Sequence, residues 1–346
     1  MKSHGCFAVV AVVLALVAVP GSSSTPTAPL AVKLATLAPI GTSYHRILQE
    51  MAEKWRSAPD GGVTLRIFAG GTQGSETDTV TRMRVGQLQA AMLTVNGLAE
   101  IDTAASALQE IPMLFDSLAE QEYVREKMRP EIERRLLAKG FVTLFWGDSG
   151  WVRFFSRAEV SRPADLKPMK VFVTAGRSAE TVKLMQELAF RPVAFEWSDA
   201  LIQMETGGID AVPAVPILAL SSQFYRVMKH VTQVNWVPLV GALVVTRQSW
   251  DAIPPATRDA LVAAAAEAGS QIQDAGRREN EQAIETMRTK LNVVVHQISP
   301  QLAKEWRVFA EGVYPKIRGA QVPADLFDQA QRLVAEYRAG PRAETR

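Results

Sequence analysis

The sequence predicts an α/β protein of two domains with a long helix shared between them. Strand-like apolar segments alternate with helical ones from Leu30 onward, which is typical of α/β folds with mostly parallel sheets. Without an N-terminal leader about 317 residues remain, more than the ~250–300 that one hydrophobic core usually serves. A predicted helix of about 50 Å near the C-terminus is longer than one domain is wide, so it must cross both.

Residues 1–28 have the layout of a secretory signal peptide. Lys2 supplies the positive charge, and Phe7–Val19 is an uncharged apolar run. Its length of about 13 residues is short of the ~20 that a membrane-spanning helix needs. We therefore expect a cleaved leader and a periplasmic mature protein, with a retained anchor or buried helix as the alternative. The small residues 22–31 leave the cleavage position open.

Composition excludes several kinds of site. The single cysteine, Cys6, lies in the leader, so the mature chain has no disulfide, thiolate metal site or cysteine nucleophile. None of the mature histidines, His45, His230 and His296, has a second metal ligand at ligand spacing, and we expect neither a metal nor a cofactor. A net charge of +2 without a basic, aromatic-interleaved stripe argues against nucleic acid as a partner.

The first half of the chain contains the clearest alternation. Helices are predicted at Ser43–Trp55, with Ser43 as the cap, at Glu76–Val85 and at Glu120–Lys139. Strands are predicted at Val32–Leu37, Val63–Phe68, Ala90–Val95, Phe141–Trp146 and Trp151–Ser156, the last two joined by a tight turn at Gly147–Gly150.

The second half repeats the pattern. Strands are predicted at Met169–Val173, Val193–Phe195, Ile209–Val212 and Leu239–Thr246, and helices at Arg177–Leu188, Ser198–Thr206 and Pro255 to about Lys290. The last of these is the long helix. Two shorter helices broken at Gly269 or Gly276 are the alternative.

Two local motifs are similar to catalytic or phosphate-binding motifs but lack the other residues that those motifs require. Gly147-Asp-Ser-Gly150 is similar to the nucleophile segment of trypsin-like proteases, yet Trp151 stands where that family has another glycine, and a polar turn explains the segment. The glycine-rich segment 70–74 lacks the lysine and hydroxyl of a phosphate loop. We therefore expect no enzyme activity. An exported hydrolase on a two-lobed scaffold, with Ser149 as nucleophile, remains the alternative.

Four segments in order resemble the solute-binding receptors of TRAP (tripartite ATP-independent periplasmic) transporters of the DctP type. Lys33–His45 resembles their opening strand and ligand loop, and Phe68–Gly74 their glycine turn. Ser161–Val173 resembles their Pro-x-Asp-Leu-x-Gly-x-Lys-Ile-Arg-Val stretch, and Ala200–Ala211 their Ala-Leu-x-x-Gly-x-x-Asp-Gly motif with shifted spacing. Together the segments cover nearly the whole mature chain.

The resemblance implies the two-lobed periplasmic binding protein fold, with a long helix crossing both lobes and a ligand cleft between them. We expect lobe I to comprise residues 30–150 and roughly 238–270, and lobe II residues 151–237 and roughly 271–340. The resemblance also implies transport as the role and a sodium-driven membrane permease as the partner that accepts the loaded receptor.

The sequence departs from this family where the ligand's charge is recognised. Most members carry an arginine in the Lys-Ile-Arg-Val strand that grips a carboxylate through paired donors. Here that position is Phe172, and the family's polar segment reads Asp210-Ala-Val-Pro-Ala-Val-Pro216. This pattern resembles the subgroup associated with tetratricopeptide-repeat proteins, for which an apolar ligand is proposed. It implies a hydrophobic ligand and a periplasmic repeat protein as a further partner.

The predicted ligand contacts come from both lobes. Tyr44, Gln73 and Asn96 lie at loop ends of lobe I that should face the cleft. The others are Trp151, Arg153, Phe172, Arg177, Val212, Pro213 and Trp236. We expect a largely apolar or amphipathic small molecule. An organic acid held by Arg153 or Arg177 is the alternative.

Overall fold

The structure is a computed structural model, and it describes residue 1, residues 30–175 and residues 179–340. The predicted leader and Arg177 therefore lie outside the described residues. Over the part that is described, no helix combines the length and apolarity that crossing a membrane requires.

Strands and helices alternate along the described chain, as predicted. The strands are β1 (Leu30–Thr36), β2 (Val63–Phe68), β3 (Ala90–Thr94), β4 (Phe141–Ser156), β5 (Lys170–Thr174), β6 (Arg191–Phe195), β7 (Ala211–Ala214), β8 (His230–Thr246) and β9 (Val294–His296). The helices are α1 (Ser43–Arg56), α2 (Glu76–Arg84), α3 (Val95–Ile101), α4 (Leu118–Ala138), α5 (Ala179–Glu187), α6 (Ala200–Glu205), α7 (Pro216–Ser221), α8 (Arg247–Asp251), α9 (Pro255–Lys290), α10 (Pro300–Ile317) and α11 (Ala324–Ala339).

The strands form one mixed sheet in the order β2-β1-β3-β8-β4-β7-β5-β6, with β9 beside β8. At one end β1 runs parallel to β2 and β3, and at the other β5 runs parallel to β6 and β7. The centre is antiparallel, because the long strands β4 and β8 pair with each other and with one neighbour from each end. These two strands connect the lobes.

The predicted turn at Gly147–Gly150 is wrong, because β4 continues from Phe141 to Ser156. Its pairing with β8 shifts register between Asp148 and Trp151, so a bulge occupies the place of the turn. Asp148 is buried, and its Oδ2 accepts a hydrogen bond of 2.8 Å from Nη2 of Arg277. The polar residues that predicted a solvent-facing turn are thus paired inside the protein.

Helix α9 is a single helix of 36 residues, and the predicted alternative of two shorter helices is wrong. Its two glycines provide room for neighbouring elements. A Cβ atom on Gly269 would lie 2.8 Å from the ring of Phe145, and one on Gly276 would lie 2.6 Å from the Tyr44 hydroxyl. The glycines therefore let α9 pack closely against β4 and α1.

Smaller predictions of element ends also change. The cap of α1 is Thr42, whose hydroxyl accepts a hydrogen bond from the His45 amide, and Ser43 is the first helical residue. The predicted helix at Ser198–Thr206 is a 3₁₀ turn, Trp197–Asp199, followed by α6. The strand predicted at Ile209–Val212 starts two residues later, as β7.

The C-terminal helix packs against the first group of elements. Phe327 and Ala330 of α11 share an apolar cluster with Met128 and Ile132 of α4. The predicted lobe boundaries stay a proposal, with one change that these contacts require: α11 lies with lobe I, although residues 271–340 were expected in lobe II.

We predict that Gly269→Ala lowers the free energy of unfolding. Overpacking against Phe145 should cost ~1–3 kcal/mol, which outweighs the ~1 kcal/mol that alanine gains over glycine inside a helix. Gly312→Ala in α10 is the matched control, because nothing lies within 4 Å of its added methyl group and it should raise stability. Urea unfolding measures both, and two variants that shift stability in the same direction would contradict the close packing of α9.

Candidate functional site

A cavity of about 370 Å³ lies between the lobes. Its walls come from β1, β3 and the start of α1 on one side, and from β5, β7 and α5 on the other. The central strands β4 and β8 and helix α10 complete the lining. Because both lobes contribute, a molecule held here would be enclosed between them.

Hydroxyl, amide and carboxylate groups gather at the lobe I end of the cavity. Glu76 opens α2, which begins with a capping box formed by Ser75 and Asp78. Its carboxylate accepts hydrogen bonds from the amide and hydroxyl of Thr94, at 2.6 and 2.5 Å, and from the amide of Gly97 at 3.2 Å. The first turn of α3 is therefore fixed at the cavity wall.

Only glycine suits position 97, because a Cβ atom there would lie 2.9 Å from the Cβ of Glu76. The neighbouring residue, Asn96, lines the cavity. The close approach of α2 to α3 thus places an amide side chain at the polar end of the cavity.

Tyr44 lies in the first turn of α1 and lines the cavity beside Ser149. Burial, the largest cause, raises the pKa of Tyr44 to about 12; the charges of Glu279 and Asp148 act in the same direction, and the nearby Ser149 acts against them. The phenol therefore stays neutral, and its hydroxyl is buried where α9 leaves room for it at Gly276.

Five aromatic side chains pack on one another to form the opposite wall. The rings of Phe154 and Trp236 are 5.7 Å apart, and those of Phe154 and Trp306 are 5.4 Å apart. Trp236 also contacts Phe309, which meets Phe190 edge to face at 5.8 Å. All five line the cavity. Their mutual packing makes the wall rigid and apolar.

Phe172 lines the cavity from β5 and is only 2% exposed. Its ring meets Trp197, another lining residue, edge to face at 5.7 Å and 73°. Trp197 in turn contacts Phe224, which anchors it in the core of lobe II. The ring of Phe172 is thus part of the cavity wall.

Carboxylates are the only charged groups among the described lining residues. Glu76 and Glu110 line the cavity, and no described lysine, arginine or histidine does. Arg153 is buried but lies outside the lining, since its neighbours Val152 and Phe154 are the ones that line the cavity. Burial lowers the pKa of Arg153, and the charge of Glu281 in α9 opposes this. Strand alternation directs its side chain to the other face.

The structure brings together half of the ten predicted contacts. Five residues line the cavity, namely Tyr44, Asn96, Phe172, Pro213 and Trp236. Four lie elsewhere, namely Gln73, Trp151, Arg153 and Val212. Arg177 lies outside the described residues.

The four residues outside the lining have other surroundings. Oε1 of Gln73 accepts a hydrogen bond from Nη1 of Arg82 at 3.2 Å. Trp151 packs against the apolar cluster that includes α4 and α11. Val212 is fully buried in the core of lobe II, because alternation along β7 exposes its neighbour Pro213 to the cavity instead.

Sequence analysis missed the contribution of α10. Trp306, Phe309, Val313 and Ile317 of this helix line the cavity. Their spacing of three, four and four residues places them on one face, which was readable as an amphipathic helix. The spacing by itself cannot distinguish a face that packs against a core from one that lines a cavity.

Two histidines that are far apart in sequence form a pair away from the cavity. Parallel pairing of β8 and β9 brings Nδ1 of His230 to 2.8 Å from Nε2 of His296, with the rings stacked at 5.1 Å. Oε1 of Glu159 lies 3.7 Å from Nδ1 of His296. Among the described residues no three His, Cys, Asp or Glu side chains are arranged to hold a metal.

The pair affects proton binding. Burial, followed by the charge of His296, lowers the pKa of His230 below its ordinary value, and Glu159 opposes this. The folded protein therefore favours the neutral imidazole of His230.

A two-lobed sheet with a cavity between its lobes and a helix across both is the architecture of a solute-binding receptor. Residues 34–319 match the profile of DctP, the bacterial extracellular solute-binding protein family 7. The chain belongs to this family, whose members are periplasmic receptors of TRAP transporters and not enzymes. They bind a small molecule and work with a TRAP membrane permease, so transport is the role of this protein.

Individual relatives are distant. The C4-dicarboxylate-binding periplasmic protein DctP of Rhodobacter capsulatus is 21% identical over 298 residues, which are 86% of this chain and 84% of that protein. A TRAP solute-binding protein of Shewanella oneidensis with bound succinate is 18% identical and has a TM-score of 0.81, covering 89% of this chain and 100% of its own. The sugar acid binding protein DctPAm of Advenella mimigardefordensis, in complex with galactonate, is 17% identical with a TM-score of 0.82, covering 89% and 99%. These likenesses confirm the predicted two-lobed fold.

We predict that stability falls as the pH drops below the ordinary histidine pKa of 6.5. The unfolded chain then binds a proton at His230 that the folded protein takes up only at lower pH, so acid favours unfolding. His230→Gln should reduce this dependence, whereas His45→Gln, outside the pair, should leave it unchanged. Urea unfolding between pH 7.5 and 5 measures the effect, and equal slopes for the wild type and His230→Gln would contradict it.

Proposed function

We propose that this TRAP receptor captures a largely apolar or amphipathic small molecule and delivers it to its permease. One observation carries the proposal: the cavity has a wall of interlocked aromatic rings, and the only charges among its described lining residues are two carboxylates. Phe172, in the place of the family's arginine, belongs to that lining.

Physical chemistry favours this class of ligand. Apolar ligand surface removed from water contributes ~25 cal/mol per Å², and an enclosed cavity removes most of it. A carboxylate buried without a cationic partner would lose several kcal/mol of hydration.

The proposed contacts divide by chemistry. Phe172, Pro213 and Trp236 would contact the apolar part of the ligand, while Tyr44 and Asn96 would meet its polar group. Support comes from their position in the lining. The remaining predicted contacts, Gln73, Trp151, Arg153 and Val212, would act only through the residues that they support.

The replaced arginine also supports membership of the subgroup associated with tetratricopeptide-repeat proteins. We propose a periplasmic repeat protein as a second partner, and export through a signal peptide at residues 1–28. Co-purification from periplasmic extract with a tagged receptor would test the repeat-protein partner. N-terminal sequencing of the mature protein would test the signal peptide.

An organic acid is the second candidate ligand. The relatives named above bind C4-dicarboxylate, succinate and galactonate. Arg177, outside the described residues, follows Thr174 and precedes Thr181, both of which line the cavity. Arg153 would have to turn away from Glu281 to reach the same space.

We predict that n-octanol binds and that Phe172→Ala weakens it about tenfold, which corresponds to ~1.4 kcal/mol of lost contact. Phe224→Ala is the matched control: it removes the same ring from the far side of Trp197, outside the lining. Titration followed by tryptophan fluorescence measures the Kd of each. Equal losses in both variants would show a general effect on folding and would contradict a contact at Phe172.

The two candidate ligand classes lead to opposite predictions for the binding of succinate. Under the proposal, calorimetry detects no succinate binding at millimolar concentration, in the wild type or in Arg177→Ala and Arg153→Ala. Tight binding that Arg177→Ala abolishes and Phe172→Ala leaves unchanged would establish the organic acid instead. Mass spectrometry of small molecules that copurify with the receptor would identify the natural ligand.

A further inference from the structure

The cavity extends along one face of α10. Its lining residues there run from Trp306 through Phe309 and Val313 to Ile317. At 1.5 Å per residue, this stripe is about 16 Å long. Since an extended chain advances about 1.2 Å per bond, a stripe of this length matches about thirteen bonds of hydrocarbon.

Helix α5 forms the other side of this space. Thr181, Leu184 and Met185 of α5, with Leu188 directly after it, line the cavity at spacings that place them on one helix face. None of the residues Ala179–Glu187 is buried. The apolar residues of α5 therefore line the cavity and also pack against the apolar core: Leu184 and Leu188 contact the cluster that includes Val313 and Ile317, and Met185 contacts the one that includes Trp306.

An ion pair joins the two helices next to this space. Nζ of Lys316 in α10 lies 3.1 Å from Oε2 of Glu187 in α5, and both side chains are about half exposed. Each partner directly precedes a lining residue, Ile317 and Leu188. Exposed pairs of this kind are weak, so the pair can hold α5 in place and still release it.

We propose that the space between α5 and α10 is an arm of the cavity that holds the hydrocarbon tail of a chain amphiphile. The inference rests on the proposed function and names its ligand class: an unbranched chain of up to about fourteen carbons with a hydrogen-bonding head. The arm's length along α10 sets the chain length, at about 1.2 Å per bond. Leu184 and Leu188 are then specificity-determining residues.

The head lies at the opposite end, among Thr36, Thr94 and Asn96. Glu76 accepts the hydroxyl and amide protons of Thr94 there, and Glu110 lies in the same lining. A hydroxyl head can donate and accept hydrogen bonds at this end.

A series of n-alkanols from butanol to decanol tests the arm. In the wild type we expect the affinity to rise about three- to fourfold with each methylene group, up to decanol, because every added group is buried. Leu188→Trp and Leu184→Trp fill the arm. Both should lose tenfold or more in affinity for decanol and much less in affinity for butanol.

Gln186→Trp is the matched control, since it adds the same ring on the exposed side of α5, outside the lining. It should follow the wild type throughout. Circular dichroism shows whether each variant is folded, and two independent filling variants keep the test decisive if one of them is not.

The possible outcomes distinguish a failure of the proposed arm from a failure of the proposed function. If alkanols bind but affinity stops rising beyond hexanol, or if the filling variants match the wild type, the arm is overturned and the apolar ligand stands. If no alkanol binds and succinate does, the proposed function fails.

Discussion

The long helix α9 can lie against the central strand β4 only because glycines remove the side chains that would separate them. At Gly276 the backbone leaves room for the Tyr44 hydroxyl and for Ser149. Four residues later, Asn280 donates hydrogen bonds from Nδ2 to the carbonyl of Ser149 and accepts one from the amide of Ile217 at the start of α7. One side chain thus links the strand that connects the lobes to lobe II. The paired charges of Asp148 and Arg277 complete the contact, and a buried carboxylate without that partner would destabilise the fold.

The packing of α9 against β4 helps to set the shape of the cavity. The chemistry of the cavity depends on its lining side chains, which the fold does not determine. Gly147 and Ser149 of β4 line the cavity at the point where α9 holds the strand. Receptors with succinate and galactonate bound share the architecture at TM-scores of 0.81 and 0.82. Since one scaffold can carry many specificities, ligand class must be argued from the residues that line the cavity.

Sequence patterns predicted an element correctly where the face that its spacing marks as apolar is also the face that is buried in the fold. The 36 residues of α9 and the alternation of strands and helices were predictable, because periodicity reports which face of an element is apolar. The turn at Gly147–Gly150 was wrong, because Asp148 finds its partner, Arg277, 129 positions along the chain. Local patterns also could not predict the contact between His230 and His296, because only the pairing of β8 with β9 brings these two residues together.

The sequence by itself determined the alternation of strands and helices, the long helix α9 and the family, since each follows from local patterns along the chain. Only the tertiary structure decided that Val212 belongs to the core and Pro213 to the cavity, and that Arg153 faces α9. It also decided that the apolar faces of α5 and α10 line one cavity. The reason is geometric: a pattern shows that a side chain avoids water, but whether protein or ligand replaces that water depends on which element lies opposite.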